Sequence, residues 1–271
     1  MNTRTVATII ALTCVLVYAT HASAQTAPKV KELGLGQPKT ILYIGNSYFY
    51  FNNSMHQYVA GLIIAADPAN RQQYRSTSIT ISGGGLNWHD VESYFKPGGV
   101  ASYSFVGDNE IVFNKFEKPF DVVIMNDCSQ CPIHPLLKDV FHEYVQKDCQ
   151  IVIKHGAKPV LFMTWAYSDK PEMTAQLAEQ YTIAGNNNNA LVIPAGLAFA
   201  KALSKNPQIV LYNADKRHPS LLGTYLAACT IYASLYKKSP TGNPYTGGID
   251  GKTALFLQEV AWETVTEYYG K

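Results

Sequence analysis

Short apolar segments alternate with longer amphipathic segments along most of this chain. The short segments are rich in β-branched residues, and strands that are buried on both faces carry such continuous apolar runs. Strands are therefore predicted at residues 40–44, 78–81, 121–125, 159–164 and 191–193. Alternation of strands with helical segments is typical of a parallel sheet that carries helices on both faces.

The longer segments repeat their apolar residues at helical spacing. They predict helices at residues 55–66, 136–155, 172–184, 197–204, 219–236 and 253–269. Pro219 is placed at the start of its helix, where the amide hydrogen that proline lacks would have no partner. The asparagines at 186–189 predict an exposed loop tip. Residues 96–118 have weaker periodicity and predict an insertion or a small hairpin.

The order of these elements predicts an α/β protein. The predicted architecture is a flavodoxin-like three-layer α/β/α sandwich around a central parallel five-stranded sheet, in which ligands bind at the carboxyl ends of the strands. A hydrophobic content of 47% is sufficient for one continuous core. Residues 25–271 are therefore predicted to form a single domain.

The first residues have the pattern of an export signal. Arg4 supplies the positive start, residues 6–18 are apolar, and residues 22–24 match the small-residue cleavage pattern. We therefore expect residues 1–24 to be a signal peptide that is cleaved near Ala24, which gives a secreted or periplasmic protein. The apolar run is shorter than the roughly 20 residues that span a bilayer. The residues before Cys14 form a poor lipoprotein cleavage site, so no membrane anchor is expected.

Charge and cysteine content narrow the possible partners and cofactors. The formal net charge of +2 provides no basic field for nucleic acid. Four cysteines follow the predicted cleavage site, and three pairings into two disulfides are open, as are free thiols: Cys128, Cys131, Cys149 and Cys229. A zinc site normally needs a second pair of ligands with similar spacing, which is absent here. No metal and no cofactor are predicted.

Residues with chemical potential follow the predicted strands directly. Asn46 and Ser47 follow the first strand, residues 82–85 (Ser-Gly-Gly-Gly) follow the second, and Asn126 follows the third. Near the carboxyl end, residues 215–219 read Asp-Lys-Arg-His-Pro, at the start of a predicted helix. Because the carboxyl ends of parallel strands share one edge of the sheet, we expect all four groups to meet on one rim.

This set of residues fits the requirements of acyl transfer. A serine hydroxyl becomes a nucleophile when an imidazole takes its proton and a carboxylate orients that imidazole. Ser47, His218 and Asp215 are predicted to have these three roles. The backbone amides of Ser47 and Gly83, with the side-chain amide of Asn126, are predicted to form the oxyanion hole. Together these residues predict a serine hydrolase.

The same residues resemble the conserved blocks of the SGNH (GDSL-like) hydrolase superfamily. Residues 44–47 are similar to the first block, with Asn46 where many members have aspartate. Ser82-Gly83 is similar to the second block, Asn126 to the third, and residues 215–218 to the last. The resemblance implies an ester hydrolase with the four residues after which the superfamily is named. It covers most of the chain, from about residue 40 to residue 240.

Two further segments, residues 162–167 and 218–228, resemble an exported bacterial branch of that superfamily with few characterised members. In that branch the third block often carries glutamine where this chain has Asn126. The second block is also open to two alignments, because three glycines are adjacent. Gly83 is preferred over Gly84 as the oxyanion donor because it directly follows Ser82.

Four aromatic side chains are predicted to lie on the same rim and to contact substrate: Tyr48, Trp88, His89 and Trp165. Aromatic faces near a catalytic serine can stack on a sugar ring or an aryl ester, although large aromatic residues more often belong to the core. The predicted function is hydrolysis of short acyl or acetyl esters of a small molecule or a polysaccharide. The alternatives are a non-catalytic carbohydrate-binding protein on the same fold and a metal hydrolase.

Overall fold

The computed structural model describes residues 26–100, 103–114 and 118–270. The predicted signal peptide, residues 1–24, lies outside the described residues. The strands in the described ranges are β1 (Thr40–Gly45), β2 (Arg75–Thr80), β3 (Tyr103–Gly107), β4 (Glu110–Phe113), β5 (Val122–Met125), β6 (Lys158–Phe162) and β7 (Leu191–Ile193).

The main sheet has the strand order β2-β1-β5-β6-β7, and every pair of neighbours is parallel. This arrangement confirms the predicted five-stranded parallel sheet. The chain crosses from β1 to β2 in one direction and later continues from β5 in the other. The carboxyl ends of β1 and β5 therefore flank the switch point at which ligands bind in such sheets.

Helices cover both faces of this sheet: α1 (Ser47–Tyr50), α2 (Met55–Ala66), α3 (Lys138–Lys154), α4 (Met173–Asn187), α5 (Ala195–Lys205), α6 (Leu221–Tyr236) and α7 (Gly251–Tyr269). Alternate residues of each strand face opposite layers. Ile41 and Tyr43 belong to the core beneath α2, α5, α6 and α7, whereas Leu42 and Ile44 belong to the core beneath α3 and α4. The result is the predicted three-layer sandwich.

Two local predictions were wrong. Pro219 lies outside α6, which begins at Leu221, because the Ser220 hydroxyl caps the helix by accepting a hydrogen bond from the Gly223 amide. The asparagine tract at 186–189 is not wholly a loop, because α4 continues to Asn187. The hairpin predicted within residues 96–118 is confirmed by the antiparallel pair β3 and β4.

One disulfide is present among the described residues, between Cys128 and Cys131 directly after β5. Cys149 and Cys229 are free and buried. These two thiols lie in opposite core layers, one on α3 and the other on α6, with the sheet between them. This geometry settles the pairing that the sequence left open, with one bridge instead of two. No helix in the described ranges is long and apolar enough to cross a membrane.

Candidate active site

Ser47 stands at the junction between the central strand β1 and helix α1. Asn46 caps α1, because its side-chain oxygen accepts a hydrogen bond from the Tyr48 amide at 3.2 Å. Gly45 precedes this turn, and a Cβ at position 45 would lie 1.6 Å from Asn126 Oδ1. Only glycine at position 45 therefore allows Asn126 to pack against strand β1.

Asn46 joins the three loops that follow β1, β2 and β5. Its Nδ2 donates hydrogen bonds to the carbonyl oxygen of Gly84 at 2.9 Å and to that of Asp127 at 3.1 Å. An ionised aspartate has no hydrogen to donate to these carbonyls. Asparagine, which can donate to both carbonyl oxygens, therefore suits this position better than an ionised aspartate.

His218 lies on a tight turn that the Asp215 side chain closes. Asp215 Oδ1 accepts hydrogen bonds from the backbone amides of Arg217 at 3.0 Å and His218 at 2.9 Å. Lys216, between them, has a left-handed φ of 65°. The Asn213 amide also donates to the His218 carbonyl at 2.9 Å. These bonds fix the imidazole before any substrate arrives.

The predicted contact between Ser47 and His218 is present. The imidazole Nδ1 lies 2.5 Å from Asp215 Oδ2, and Nε2 lies 2.8 Å from Ser47 Oγ. Since Nδ1–H donates to the carboxylate, Nε2 is free to accept the serine proton. Serine and histidine are 171 positions apart in the chain.

The Asp215 carboxylate is ionised over most of the pH range. Desolvation raises the pKa of Asp215, but hydrogen bonds from the His218 ring and from two backbone amides outweigh it and lower the pKa to about 2. The Asp215 side chain is 45% exposed and that of His218 is 26% exposed. The carboxylate and the imidazole therefore lie near the surface of the molecule, whereas Ser47 is 8% exposed.

The turn after β2 distinguishes between the two candidate glycines. The Gly84 amide donates to the Ile81 carbonyl at 3.0 Å and closes the turn. Gly83 has a φ of 69°, which residues with a side chain rarely adopt. In the described part of the chain, no hydrogen bond uses the amide of Gly83 or Ser47. The Gly83 amide is therefore free to donate to a ligand, whereas the Gly84 amide is not, and the oxyanion role of Gly83 stays a prediction.

Asn126 is buried beside the nucleophile strand, but its amide hydrogens have protein partners. Nδ2 donates to Asn46 Oδ1 at 3.2 Å and to the Asp127 carbonyl at 3.1 Å. In this conformation the side chain holds Asn46 in place. A role for Asn126 in the oxyanion hole, which stays a prediction, requires one of these hydrogens to be shared with substrate.

Asp127 links the loops after β2 and β5. Its Oδ1 accepts hydrogen bonds from the amides of Cys128 at 2.7 Å and Leu86 at 3.1 Å. Desolvation nevertheless raises the pKa of this carboxyl to about 6. Among the described residues, Asp127 with Cys128 and Cys131 is the one group whose ligand atoms are close enough for a metal. Its two sulfurs are joined in the disulfide, which does not fit thiolate ligation.

Three of the four predicted substrate contacts are interior residues, which corrects the prediction. His89 donates from one ring nitrogen to the Gly45 carbonyl and bonds Tyr94 with the other, and it is 6% exposed. Trp165 is fully buried, and Tyr48 is 4% exposed. Sequence spacing places these residues near the rim, whereas packing decides which way their side chains point.

Trp165 is hydrogen-bonded to the turn that carries His218. Its indole Nε1 donates to the Arg217 carbonyl at 2.9 Å, and its ring stacks on Tyr48 with a centroid distance of 4.5 Å. The fourth residue, Trp88, is 59% exposed in the loop after β2. Trp88 is therefore the aromatic residue of the predicted set that is available to a ligand.

Comparison with known proteins informs the fold. No family model matches the chain, and no curated protein matches it in sequence. A proposed SGNH hydrolase from Slackia heliotrinireducens is similar in structure, with a TM-score of 0.52 and 21% identity over 74% of this chain and 99% of that chain.

Two further structures have comparable similarity. A proposed GDSL-like lipase from Parabacteroides merdae has a TM-score of 0.56 and 15% identity over 76% of this chain and 99% of that chain. A catalytic mutant of an acetylxylan esterase from Geobacillus stearothermophilus has a TM-score of 0.53 and 17% identity over 74% of this chain and 95% of that chain. These likenesses confirm the predicted fold, which is that of the SGNH hydrolases.

Proposed function

We propose that this chain, which has the fold of the SGNH hydrolases, is an exported serine esterase. The observation that carries the proposal is the continuous hydrogen-bonded chain from Asp215 through His218 to Ser47. A carboxylate, an imidazole and a serine hydroxyl in this order are the parts that nucleophilic acyl transfer requires. A protein that only binds carbohydrate has no use for such an arrangement.

In the proposed first step, His218 Nε2 takes the Ser47 hydroxyl proton while Oγ attacks the ester carbonyl carbon. The carbonyl oxygen becomes an oxyanion, to which the amides of Ser47 and Gly83 donate. Collapse of this intermediate breaks the carbon–oxygen bond of the ester. The leaving alkoxide takes the proton from the imidazolium, and an acyl-enzyme on Ser47 remains.

In the second step, a water molecule gives one proton to His218 and attacks the acyl carbon. The second tetrahedral intermediate releases the carboxylic acid, and the proton returns to Ser47 Oγ. Asp215 stays ionised throughout and stabilises the imidazolium in both steps. The cycle consumes one ester and one water and requires no metal or cofactor.

The proposed substrates are short acyl or acetyl esters on carbohydrate. The partial exposure of His218 and Asp215 supports a bulky alcohol part, because two of the three reacting side chains are accessible from the surface. The exposed Trp88 offers a flat apolar face of the kind that stacks on sugar rings. One protein of similar fold is an acetylxylan esterase, which supports the same class of substrate. The amino-terminal sequence pattern supports export of the enzyme after cleavage near Ala24.

Hydrolysis of p-nitrophenyl acetate tests the proposed mechanism. The wild-type protein should release p-nitrophenol, and Ser47→Ala should lose at least about 10³-fold in kcat/KM, because the nucleophile is gone. A panel of acetylated xylan, acetylated pectin and longer acyl esters then identifies the substrate class. Equal rates for wild type and variant would refute the assignment.

Glycan binding without turnover would favour the alternative, a carbohydrate-binding protein on the same fold. In that case Ser47→Ala would keep the full affinity for xylan, whereas Trp88→Ala would lose it. Activity that chelators abolish would favour a metal hydrolase instead.

A further inference from the structure

The four residues after helix α1 have an unusual backbone. We call residues 51–54 (Phe-Asn-Asn-Ser) the clamp segment. Three consecutive residues in it, Asn52, Asn53 and Ser54, have left-handed φ angles of 54°, 65° and 72°. Such strain outside glycine persists where the surrounding structure enforces it, and it is concentrated at functional sites.

The Phe51 ring, directly before these three residues, lies on the imidazole of His218. The two rings are parallel, with 4.1 Å between centroids and an interplanar angle of 6°. Tyr48 meets the same imidazole with its edge, at 5.9 Å and 82°. The imidazole is thus held on one face by Phe51 and along another side by Tyr48, while its two nitrogens bond Asp215 and Ser47.

Asn52 continues the contact to the far side of the histidine turn. Its Nδ2 donates to the Pro219 carbonyl at 2.9 Å and to Thr224 Oγ1 at 2.8 Å. Pro219 directly follows His218, and Thr224 lies on the first turns of α6. One side chain therefore ties the nucleophile segment to the segment that carries the base, across 167 positions of the chain.

We propose that the clamp segment is part of the esterase machinery, in which Phe51 and Asn52 are positioning residues that act through His218. This inference rests on the proposed function and extends it to two residues outside the triad and the oxyanion hole. Phe51 stabilises the imidazolium that forms when Ser47 gives up its proton. Asn52 keeps the base within reach of the nucleophile.

The electrostatics of an aromatic face give Phe51 this role. The face of a phenyl ring carries negative charge density and attracts a cation above it. His218 is a cation only after it takes the serine proton, so the attraction is larger in the transition state than in the resting enzyme. Interactions of that kind raise kcat without changing substrate binding.

Other charged groups near His218 are left in place by a change at Phe51. Asp215 contacts Nδ1 and Ser47 contacts Nε2. The Arg217 guanidinium, although adjacent in sequence, lies over the Tyr167 ring at 4.9 Å from its centroid. A substitution at Phe51 that removes the ring and keeps an apolar side chain therefore tests the effect of the aromatic face.

The test compares Phe51→Leu, which removes the ring but keeps an apolar side chain, with Phe51→Tyr, which keeps the ring. For p-nitrophenyl acetate, we expect Phe51→Leu to lower kcat about 2- to 30-fold at unchanged KM. The acid limb of its pH–rate profile should move to lower pH by about half a unit or more, because the protonated imidazole is less stable. Phe51→Tyr should keep both values close to wild type.

Asn52→Gly separates the second role from the first, because glycine adopts the left-handed φ without strain and removes only the side chain. We expect kcat to fall about tenfold through poorer alignment, with the acid limb unchanged. Phe105→Leu is the matched control for Phe51→Leu. It makes the same substitution in the exposed and distant β3–β4 hairpin and should behave as wild type. Wild-type kcat in Asn52→Gly would refute the role of Asn52.

Titration of the His218 imidazole by NMR makes the inference independent of turnover. The signal is assigned with His218→Asn, and its midpoint should be lower in Phe51→Leu than in wild type and Phe51→Tyr. An unchanged midpoint in folded Phe51→Leu overturns the role of Phe51, whatever the activity. Absence of any ester hydrolysis by wild type, with the midpoint shifted as expected, refutes the proposed function and leaves the aromatic contact established.

Discussion

At the scale of single residues, Asn46 has the largest number of side-chain hydrogen bonds in the site. Its side chain makes four hydrogen bonds, two as a donor to the loops after β2 and β5 and two as an acceptor from Tyr48 and Asn126. It is 4% exposed, so water cannot replace a lost partner. Its chemistry therefore affects both stability and the geometry around Ser47.

We predict that Asn46→Asp is destabilising. The carboxylate would face the carbonyl oxygens of Gly84 and Asp127 with no hydrogen to donate. The free energy of unfolding should fall by about 2 kcal/mol or more at pH 7, measured by urea denaturation. Protonation would restore one donor, so the deficit should shrink toward pH 4. A variant as stable as wild type at pH 7 would contradict this account.

The three residues of the Asp215–His218–Ser47 hydrogen-bonded chain could be predicted individually, because Ser47 directly follows a strand and the other two lie just before a helix, where only a few chemical types are possible. The direction of the surrounding aromatic side chains could not. Trp165 follows β6 as Ser47 follows β1, but its ring is stacked between Tyr48 and Phe199. The partner of the Asn126 amide and the Phe51 stacking depend on contacts between distant segments, which leave no local pattern.

At the scale of elements, the sequence signal was strongest where burial is complete. Strands β1, β5, β6 and β7 are buried and were located to within one or two residues. The edge strand β2 begins at Arg75, three residues before its predicted start, because its exposed first residues are polar and form no apolar run. Helix α1 has four residues, too few to show helical periodicity.

The segment between β5 and α3 carries a prediction about covalent structure. The Cys128–Cys131 disulfide closes a short turn, and Ser129 within it bonds the Tyr167 hydroxyl at 2.7 Å. Alkylation of the unfolded, unreduced chain from residue 25 onward should modify Cys149 and Cys229 alone, and prior reduction should expose all four of its cysteines to the reagent. Peptide mass mapping distinguishes this result from any pairing that includes Cys149 or Cys229.

The same turn is small, so its contribution to stability is limited. By the loop-entropy relation, a bridge across so few residues stabilises the fold by about 2 kcal/mol. Replacement of both cysteines by serine should therefore leave a folded protein, which makes the role of the turn near the active site measurable. A variant that does not fold would show that the bridge does more than close the turn.

At the scale of the whole molecule, the layer beneath α3 and α4 contains two buried carboxyl groups. Desolvation raises the pKa of Asp148 to about 7, with Lys147 opposing the shift and Asp127 adding to it. One oxygen of Asp148 has no hydrogen-bond partner. In the unfolded chain an aspartate titrates near pH 4. Between these two values the folded protein holds a proton that the unfolded chain releases.

Because the folded state binds more protons in that window, Asp148 contributes a decrease in the free energy of unfolding as the pH rises from about 4 to about 7. Burial lowers the pKa values of His56 and His89, which contribute in the opposite direction, so the effect of Asp148 is measured against a variant that lacks it. Asp148→Asn has no titrating group and should be more stable than wild type at pH 8 by on the order of 2 to 4 kcal/mol. Near pH 4 the two proteins should be nearly equal. Thermal unfolding across this pH range measures the difference in stability between the two proteins. The other titrating groups, Asp127 among them, account for the pH dependence that remains in Asp148→Asn.

Asp139→Asn is the matched control for that experiment. Asp139 lies at the exposed amino end of the same helix, so its replacement should leave the pH dependence of stability unchanged. An Asp148→Asn variant whose stability relative to wild type is the same at pH 4 and pH 8 would contradict the assignment of a buried, protonated Asp148.

The strand order has a consequence for when the enzyme can first work. Ser47 lies on the second element of the chain and its base lies just before the penultimate helix, with the sheet's later strands encoded between them. A partly synthesised or partly translocated polypeptide therefore holds a serine without its proton acceptor. For the proposed exported esterase, hydrolysis would begin only once nearly the entire polypeptide has left the cytoplasm, and acylated metabolites of the producing cell are spared.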